Sequence, residues 1–422
     1  MSTELFMKFA EIRKKIVNNP GFGTLDEIKK AGYCIVRERD GERYFLAKPE
    51  ELKPLLVRLG DIAEVRRGFT TGANDFFYLE PVDMTVKEVV ELARKNPKAP
   101  IKVRNGAGWE GEIEAAWLRP VIKSPREIKT IKVRLEDLRY LVFMAPDDVR
   151  ENIKRYGKSN LVKDFIERNY KLAAQYIEWG ESAVYVCTER GCKYRGSESF
   201  CPRHGGKKIK LDAFRDRPSC RSRIWWWDLG EQEPSSFIWP MIHNDRPILA
   251  AFTQKIIVDH NLFQIKNQDG TRLTALMAAT YAVIVRELFG RRNLGEGALK
   301  TEGTDIVQLL VISPFSLSFI QHRRLLAQFE LLVTRSIRSI FEELGFQLCH
   351  QRGCLHPEHP YEYVNPKELT LDQVKKASPD RFELDRIVFD ILGLTIKERI
   401  EVYRAVVQLV KERLVKARST RR

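Results

Sequence analysis

The residues with the clearest chemical capacity are Cys187, Cys192, Cys201 and His204, spaced Cys-x4-Cys-x8-Cys-x2-His. Thiolates and an imidazole are ligands that zinc takes in closed tetrahedral sites, with bonds of about 2.0–2.3 Å. Gly191, Gly196 and Gly205-Gly206 supply tight turns around such a site. Four protein ligands leave no position for water, so the expected role is structural: a zinc knuckle within residues 187–220. Cys220 is an alternative fourth ligand, and a loop of reduced cysteines with accidental spacing is the plainer reading. Cys349, His350, Cys354, His356 and His359 form a second candidate metal cluster, which could equally be a polar connection between helices. The seven cysteines fall mainly in these two groups. With Met1–Ile16 mixed in charge and lacking the apolar stretch of a signal peptide, the expectation is metal binding in a cytoplasmic protein rather than disulfides.

Catalytic constellations are harder to find. No Ser/His/Asp set and no phosphate-cradling glycine loop stands out. Pro146-Asp147-Asp148 with Glu151 and Lys154 has the residue types of a Mg²⁺ nuclease, but their spacing puts them on one helix instead of on adjacent strands. The chain by itself carries no catalytic motif.

What remains is recognition chemistry. Lys and Arg number 72 against 57 Asp and Glu, a formal charge of +15. An excess of this kind favours a polyanionic partner, because each neutralised phosphate releases counterions. The positive charge is clustered at residues 119–139, 190–223 and 397–422. Lys123 and Arg126, with Lys129, Lys132 and Arg134, make a stretch suited to phosphate contact or to a solvated face. Arg221 and Arg223 precede Trp225-Trp226-Trp227, a run expected as a strand with Trp225 and Trp227 on one face and Trp226 on the other. Guanidinium groups beside flat rings suit phosphate clamping, guanine contact or stacking on a displaced base; a core strand of buried tryptophans is the alternative. Arg66 and Arg67 lead into Gly68, and Gly68 and Gly72 bracket Thr70 and Thr71 ahead of Asn74. Glycines allow close approach to a ligand, and the short polar groups can bond phosphates or base edges. Arg291 and Arg292 could reach a groove or cap the helix ending near Gly290.

These residues must be positioned by an α+β fold. Residues 1–57 read as lead-in helices, over Glu4–Asn18 and Leu25–Ala31, and a hairpin, Tyr33–Arg37 with Arg43–Leu46 around Asp40-Gly41. Residues 58–314 read as an irregular β-rich domain, with short strands such as Phe76–Leu79, and helical insertions, among them an apolar helix over Leu273–Phe289. Residues 315–422 read as a helical C-terminal region. It opens with one long amphipathic helix over Ser316–Leu344 and closes with Phe382–Leu392 and Ile396–Ala417. No run of about 18 apolar residues would span a membrane.

Several segments, in order, resemble one family. Leu59-Gly60-Asp61-Ile62-Ala63-Glu64-Val65-Arg66-Arg67-Gly68-Phe69-Thr70-Thr71-Gly72-Ala73-Asn74-Asp75-Phe76-Phe77 looks like the opening of the target-recognition domain of adenine-N6 DNA methyltransferases of restriction–modification systems (type II/IIG-like), related to type I specificity subunits. Trp117–Arg126, Tyr176–Glu181, Ser219–Trp227, Leu294–Lys300 with Asp305, and Asp385–Asp390 follow as such proteins would have them, so the resemblance spans residues 59–417. The cysteine cluster is no part of the resemblance and reads as a knuckle inserted in the recognition domain. The resemblance implies sequence-specific binding of double-stranded DNA, with methyl transfer from S-adenosylmethionine supplied by a separate or missing methyltransferase domain or subunit. The family's S-adenosylmethionine loop and Asn/Asp-Pro-Pro-aromatic motif are not found; Asn19-Pro20-Gly21-Phe22-Gly23 lacks the second proline and follows a helix. Two alternatives stand beside this reading: a fragment of a complete adenine-specific methyltransferase or restriction enzyme, and a zinc-containing RNA-binding or adaptor module.

Overall fold

The computed structural model describes the chain apart from residues 1–13, 17–18, 38–43, 48–54, 183, 193, 197–199, 206–208, 233–234, 253–254, 292–296, 349–360 and 420–422. Helices and mostly antiparallel sheets give an α+β fold. The chain divides into two compact units, one formed by Met1–Val65, Ile242–Leu249 and Lys266–Arg422, the other by Arg66–Met241 and Ala250–Ile265.

The second unit is β-rich with helical insertions. Its larger sheet has six strands, in the order Ile257–Val258, Leu118–Ile122, Tyr140–Phe143, Tyr78–Pro81, Pro100–Asn105 and Glu110–Glu114. Only the first pair is parallel. A five-stranded sheet runs Glu64–Arg67, Leu262–Lys266, Phe237–Pro240, Ala250–Phe252 and Lys132–Val133. Helix Val86–Lys95 starts at a capping box in which Thr85 and Glu88 satisfy each other's backbone N–H groups. Helices Asp147–Tyr156, Asn160–Asn169 and Lys171–Glu181 follow one another, and Asp147, Asp148, Glu151 and Lys154 do share the first of them.

An aromatic cluster fills this unit. Phe76 stacks on Tyr176 with centroids 4.5 Å apart and meets Trp226 at 4.7 Å. Trp117 stacks on Phe143 at 4.8 Å and meets Trp227 edge-on at 5.5 Å. Offset and edge-to-face pairs of this kind add about 0.5–1.5 kcal/mol each beyond the area they bury.

The first unit carries the expected hairpin, Cys34–Arg37 with Tyr44–Ala47, and a small cluster of Ile16 and Ile28 with Phe22 and Tyr33. Leu56–Arg58 pairs antiparallel with Leu310–Ile312. Its helical core gathers Val283, Phe341, Leu344, Phe389, Tyr403, Val406 and Val410. The closing helices are Pro379–Ile391 and Ile396–Ser419.

Four expected elements take a different form. The single helix over Ser316–Leu344 is two, Phe319–Leu332 and Ile340–Glu343. Ser339 and Glu342 build a capping box that starts the second piece, so a strong N-cap overrides a continuous apolar stripe. The helix over Leu273–Phe289 is also two, Gly270–Met277 and Thr280–Phe289. Asp385, from a remote helix, accepts both the backbone N–H of Thr280 at 2.7 Å and its hydroxyl at 2.6 Å, capping the new start. Phe76–Phe77 close a helical turn, Asn74–Phe77, and the strand begins only at Tyr78. The run around Arg221–Trp227 is not a strand: Pro218–Arg221 forms a short helix and bends follow. The N-terminal helix expected over residues 4–18 falls largely outside the described residues, as do Asp40-Gly41, Arg292 and the Cys349–His359 cluster.

Candidate nucleic-acid interface and metal centre

The glycine loop is positioned by its two flanks. Strand Glu64–Arg67 delivers Gly68 against the backbone of Val258 and Asp259, where its N–H donates to Leu262 and the N–H of Phe69 donates to Val258 at 3.0 Å. A Cβ on Gly68 would stand 2.2 Å from the Asp259 carbonyl oxygen, so only glycine fits. Gly72 has φ +71°, and a Cβ there would lie 2.4 Å from the Ser219 side chain. The loop is thus held between residues 258–260 and residues 219–223.

Arg223 fastens the second side. One terminal nitrogen donates to the carbonyls of Thr70 (2.9 Å) and Thr71 (2.8 Å), and the other to the Trp226 carbonyl at 3.1 Å. Its guanidinium lies 5.4 Å from the Phe77 ring, and Cys220 donates its thiol to the Thr71 carbonyl. The structure therefore brings the Gly68–Asn74 loop and the Arg221–Trp227 segment together, while the Arg223 fork is spent on backbone. Thr71 is fully buried and gives its hydroxyl to Asn74; Thr70 and Asn74 are exposed. Arg66, Arg67 and Arg221 are exposed, and Arg67 donates to the His260 carbonyl at 2.8 Å.

Trp226 is 8% exposed, packs among Phe76 and Phe77, and donates its indole N–H to Glu181 at 3.0 Å. It therefore offers no free face for stacking on a base, and the core role foreseen as its alternative is the one it takes. Trp225 and Trp227 do lie together, stacked at 5.7 Å. Lys123 is half-buried, with its ammonium 4.8 Å from the Tyr78 ring centroid and 4.4 Å from that of Tyr140. Arg126 is exposed on the turn Pro125–Glu127, which Ser124 and Glu127 cap. Arg291 belongs to the other unit, where it is paired with Asp305 at 2.9 Å.

Sequence reasoning missed Tyr78, Asp259 and His260. Asp259 is fully buried, accepts the Tyr78 hydroxyl, and has His260 Nδ1 at 3.2 Å. Burial, followed by the Asp259 carboxylate, pushes the Tyr78 phenol far up, so it stays protonated and donates. The Asp-His pair directly after an apolar strand is the one local signal that could have drawn attention to it.

The metal candidate is compact. The ligand atoms of Cys187, Cys192, Cys201 and His204 all lie within 4.8 Å of one another. Cys187 and Cys201 place their sulfurs 3.2 and 3.3 Å from His204 Nδ1, and the sulfurs of Cys192 and Cys201 are 3.9 Å apart. Bonds of about 2.0–2.3 Å in a tetrahedron give edges of roughly 3.5–3.8 Å, so the donor set fits a zinc-sized ion. Cys187 ends the central strand, Val184–Cys187, of a three-stranded sheet, and Cys192 lies in the connection from it to the strand Arg195–Gly196. Backbone N–H groups two residues on, at Glu189 and Tyr194, point at the sulfurs of Cys187 and Cys192, and the Tyr194 bond lowers the Cys192 pKa. Such N–H···S bonds orient thiolate ligands and stabilise their charge.

No protein-family model matches the chain, and no curated protein matches it. Among solved structures, the crystal structure of the type IIG restriction endonuclease BpuSI aligns with a TM-score of 0.39 and 14% identity over 81% of this chain. The chain spans 32% of that enzyme's length. No helix among the described residues is long and apolar enough to cross a membrane.

Proposed function

We propose that this chain binds double-stranded DNA in a sequence-dependent way, as the target-recognition part of an adenine-N6 methyltransferase of a restriction–modification system. The observation that carries this reading is the braced loop: Arg223 holds the carbonyls of Thr70 and Thr71 while Thr70 and Asn74 stay exposed beside Arg66, Arg67 and Arg221. A rigid loop presenting short polar groups between cations suits a groove contact, since cations on phosphates set position and a few polar groups read base edges. The formal charge of +15 supports the same partner. Lys123 and Arg126 are assigned to phosphates. Methyl transfer from S-adenosylmethionine belongs to a methyltransferase partner or domain, which would act on the adenine once it has left the stack.

The four-ligand cluster is assigned to a structural zinc: Cys187, Cys192, Cys201 and His204 would close the coordination shell and fix the small sheet around Val184–Cys187.

Selection of bound sequences from a random duplex pool, with and without an added methyltransferase, tests the reading. Enrichment of one duplex motif supports it. Equal retention of all duplexes, or preference for RNA over DNA, overturns it and favours the RNA-binding or adaptor alternative.

A further inference from the structure

The second unit contains a cleft of about 310 Å³ apart from the glycine loop, lined by Arg94, Arg119, Asp147, Arg150, Gln232 and Lys255 over a floor that includes Leu118, Pro120, Met144 and Ile257. The size is at the lower end of the ~300–1,000 Å³ typical of small-ligand clefts. Arg119, Arg150 and Lys255 face one carboxylate there, that of Asp147. Asp147 is paired with Arg150 at 2.5 Å and so neutralises one of them. Arg119 is mostly buried, and its guanidinium makes no hydrogen bond or ion pair with the described residues. The Nε donor of Arg150 is buried and likewise has no hydrogen-bond partner among them.

We infer that this cleft is a binding site for a phosphoryl group. Burying a charge without a partner, or a donor without an acceptor, is costly, and an anion that accepts from the Arg119 guanidinium and from Arg150 Nε would relieve both. The surplus of positive charge in the lining matches a doubly charged phosphoryl better than a single carboxylate. Planar guanidiniums suit its oxygens bidentately, and the exposed Lys255 adds a mobile point charge at the rim. The fields already converge: Arg150, then Arg119 and Lys255, hold Asp147 below the usual carboxylate range. The apolar floor leaves room for what the phosphoryl is attached to. That can be a free phosphorylated small molecule or the backbone of a nucleic acid, and the site does not depend on the target-recognition reading.

The test uses the full chain and the variants Arg119→Gln and Lys255→Gln; Lys255 is exposed, so its variant keeps the fold. Calorimetric titration with inorganic pyrophosphate is expected to show saturable binding that each variant weakens by about tenfold or more, since bonds to charged groups carry about 1.5–3 kcal/mol. Absent pyrophosphate binding, a drop of about one in the salt slope for random duplex DNA in either variant assigns the phosphoryl to the nucleic-acid backbone. Neither response in the folded Lys255→Gln protein overturns the site. Pyrophosphate binding that persists without any preferred DNA motif would remove the target-recognition reading and leave this one standing.

Discussion

The guanidinium of Arg223 donates to the carbonyl oxygen of Thr71 at 2.8 Å across 152 residues of sequence. An arginine whose neighbours advertise base contact is instead the fastener of the loop that would make it. Its neighbour Arg221 stays exposed. The two should therefore separate on mutation. Arg221→Ala is expected to weaken binding to a selected duplex by about 1–3 kcal/mol with unchanged stability. Arg223→Ala takes a donor from three carbonyls, those of Thr70, Thr71 and Trp226, and is expected to cost stability of roughly 1–3 kcal/mol as well. Gel-shift titration paired with urea unfolding reads both; identical behaviour of the two variants would contradict the division of labour.

All seven tryptophans lie in the second unit, so indole fluorescence follows its unfolding alone. Gly68→Ala, which sets a Cβ 2.2 Å from the Asp259 carbonyl oxygen, should shift that fluorescence midpoint by an overpacking cost of about 1–3 kcal/mol. A midpoint equal to the parent protein's would show that the contact with residues 258–259 can relax.

Metal content gives a third check. The parent chain is expected to carry one more equivalent of zinc than Cys201→Ser, measured by release to a colorimetric chelator after thiol modification. Equal zinc in both proteins would remove the Cys187–His204 assignment. Chelation should loosen the sheet at Val184–Cys187, read as faster amide exchange there, while leaving the Glu343 network of the other unit protected.

That network sets an acid limit. Burial pushes the Glu343 carboxyl up, but Arg381 and Arg335 outweigh it and hold the group down at about 2. Because the folded pKa is depressed, the unfolded chain binds more protons between pH 4.5 and 2. The stabilisation is complete above about pH 4.5 and drains as pH falls towards 2, by roughly 3 kcal/mol in all. Helix circular dichroism during acid titration should show this limb, and Glu343→Gln should flatten it while lowering stability at neutral pH, since Arg381 would be left buried without its charge partner at 3.0 Å. An unchanged limb in the variant would assign the acid transition elsewhere.

Much of this was legible from residue type and short spacing. The α+β class, the hairpin near the N-terminus, the glycine-bracketed loop and the convergence of three cysteines and a histidine all follow from patterns within about twenty residues. What escaped lies in long-range partners. Arg67 reaches His260 across 193 residues, and Thr280 takes its cap from Asp385 across 105. No local periodicity encodes either. Trp226 escaped for a different reason: alternation fixes which side chains share a face only if the segment is a strand, and residues 218–227 are a helical turn followed by bends.

Pairing of Leu56–Arg58 with Leu310–Ile312 imposes an order on biogenesis. A ribosome must travel from Arg58 to Leu310 before the earlier strand meets its mate, roughly 10–50 s at about 5–20 residues per second. The tryptophan-bearing body can be complete only once Ile265 has been made, late in that interval, while the edge at Leu56–Arg58 stays open to chaperones or to the wrong neighbour from the start.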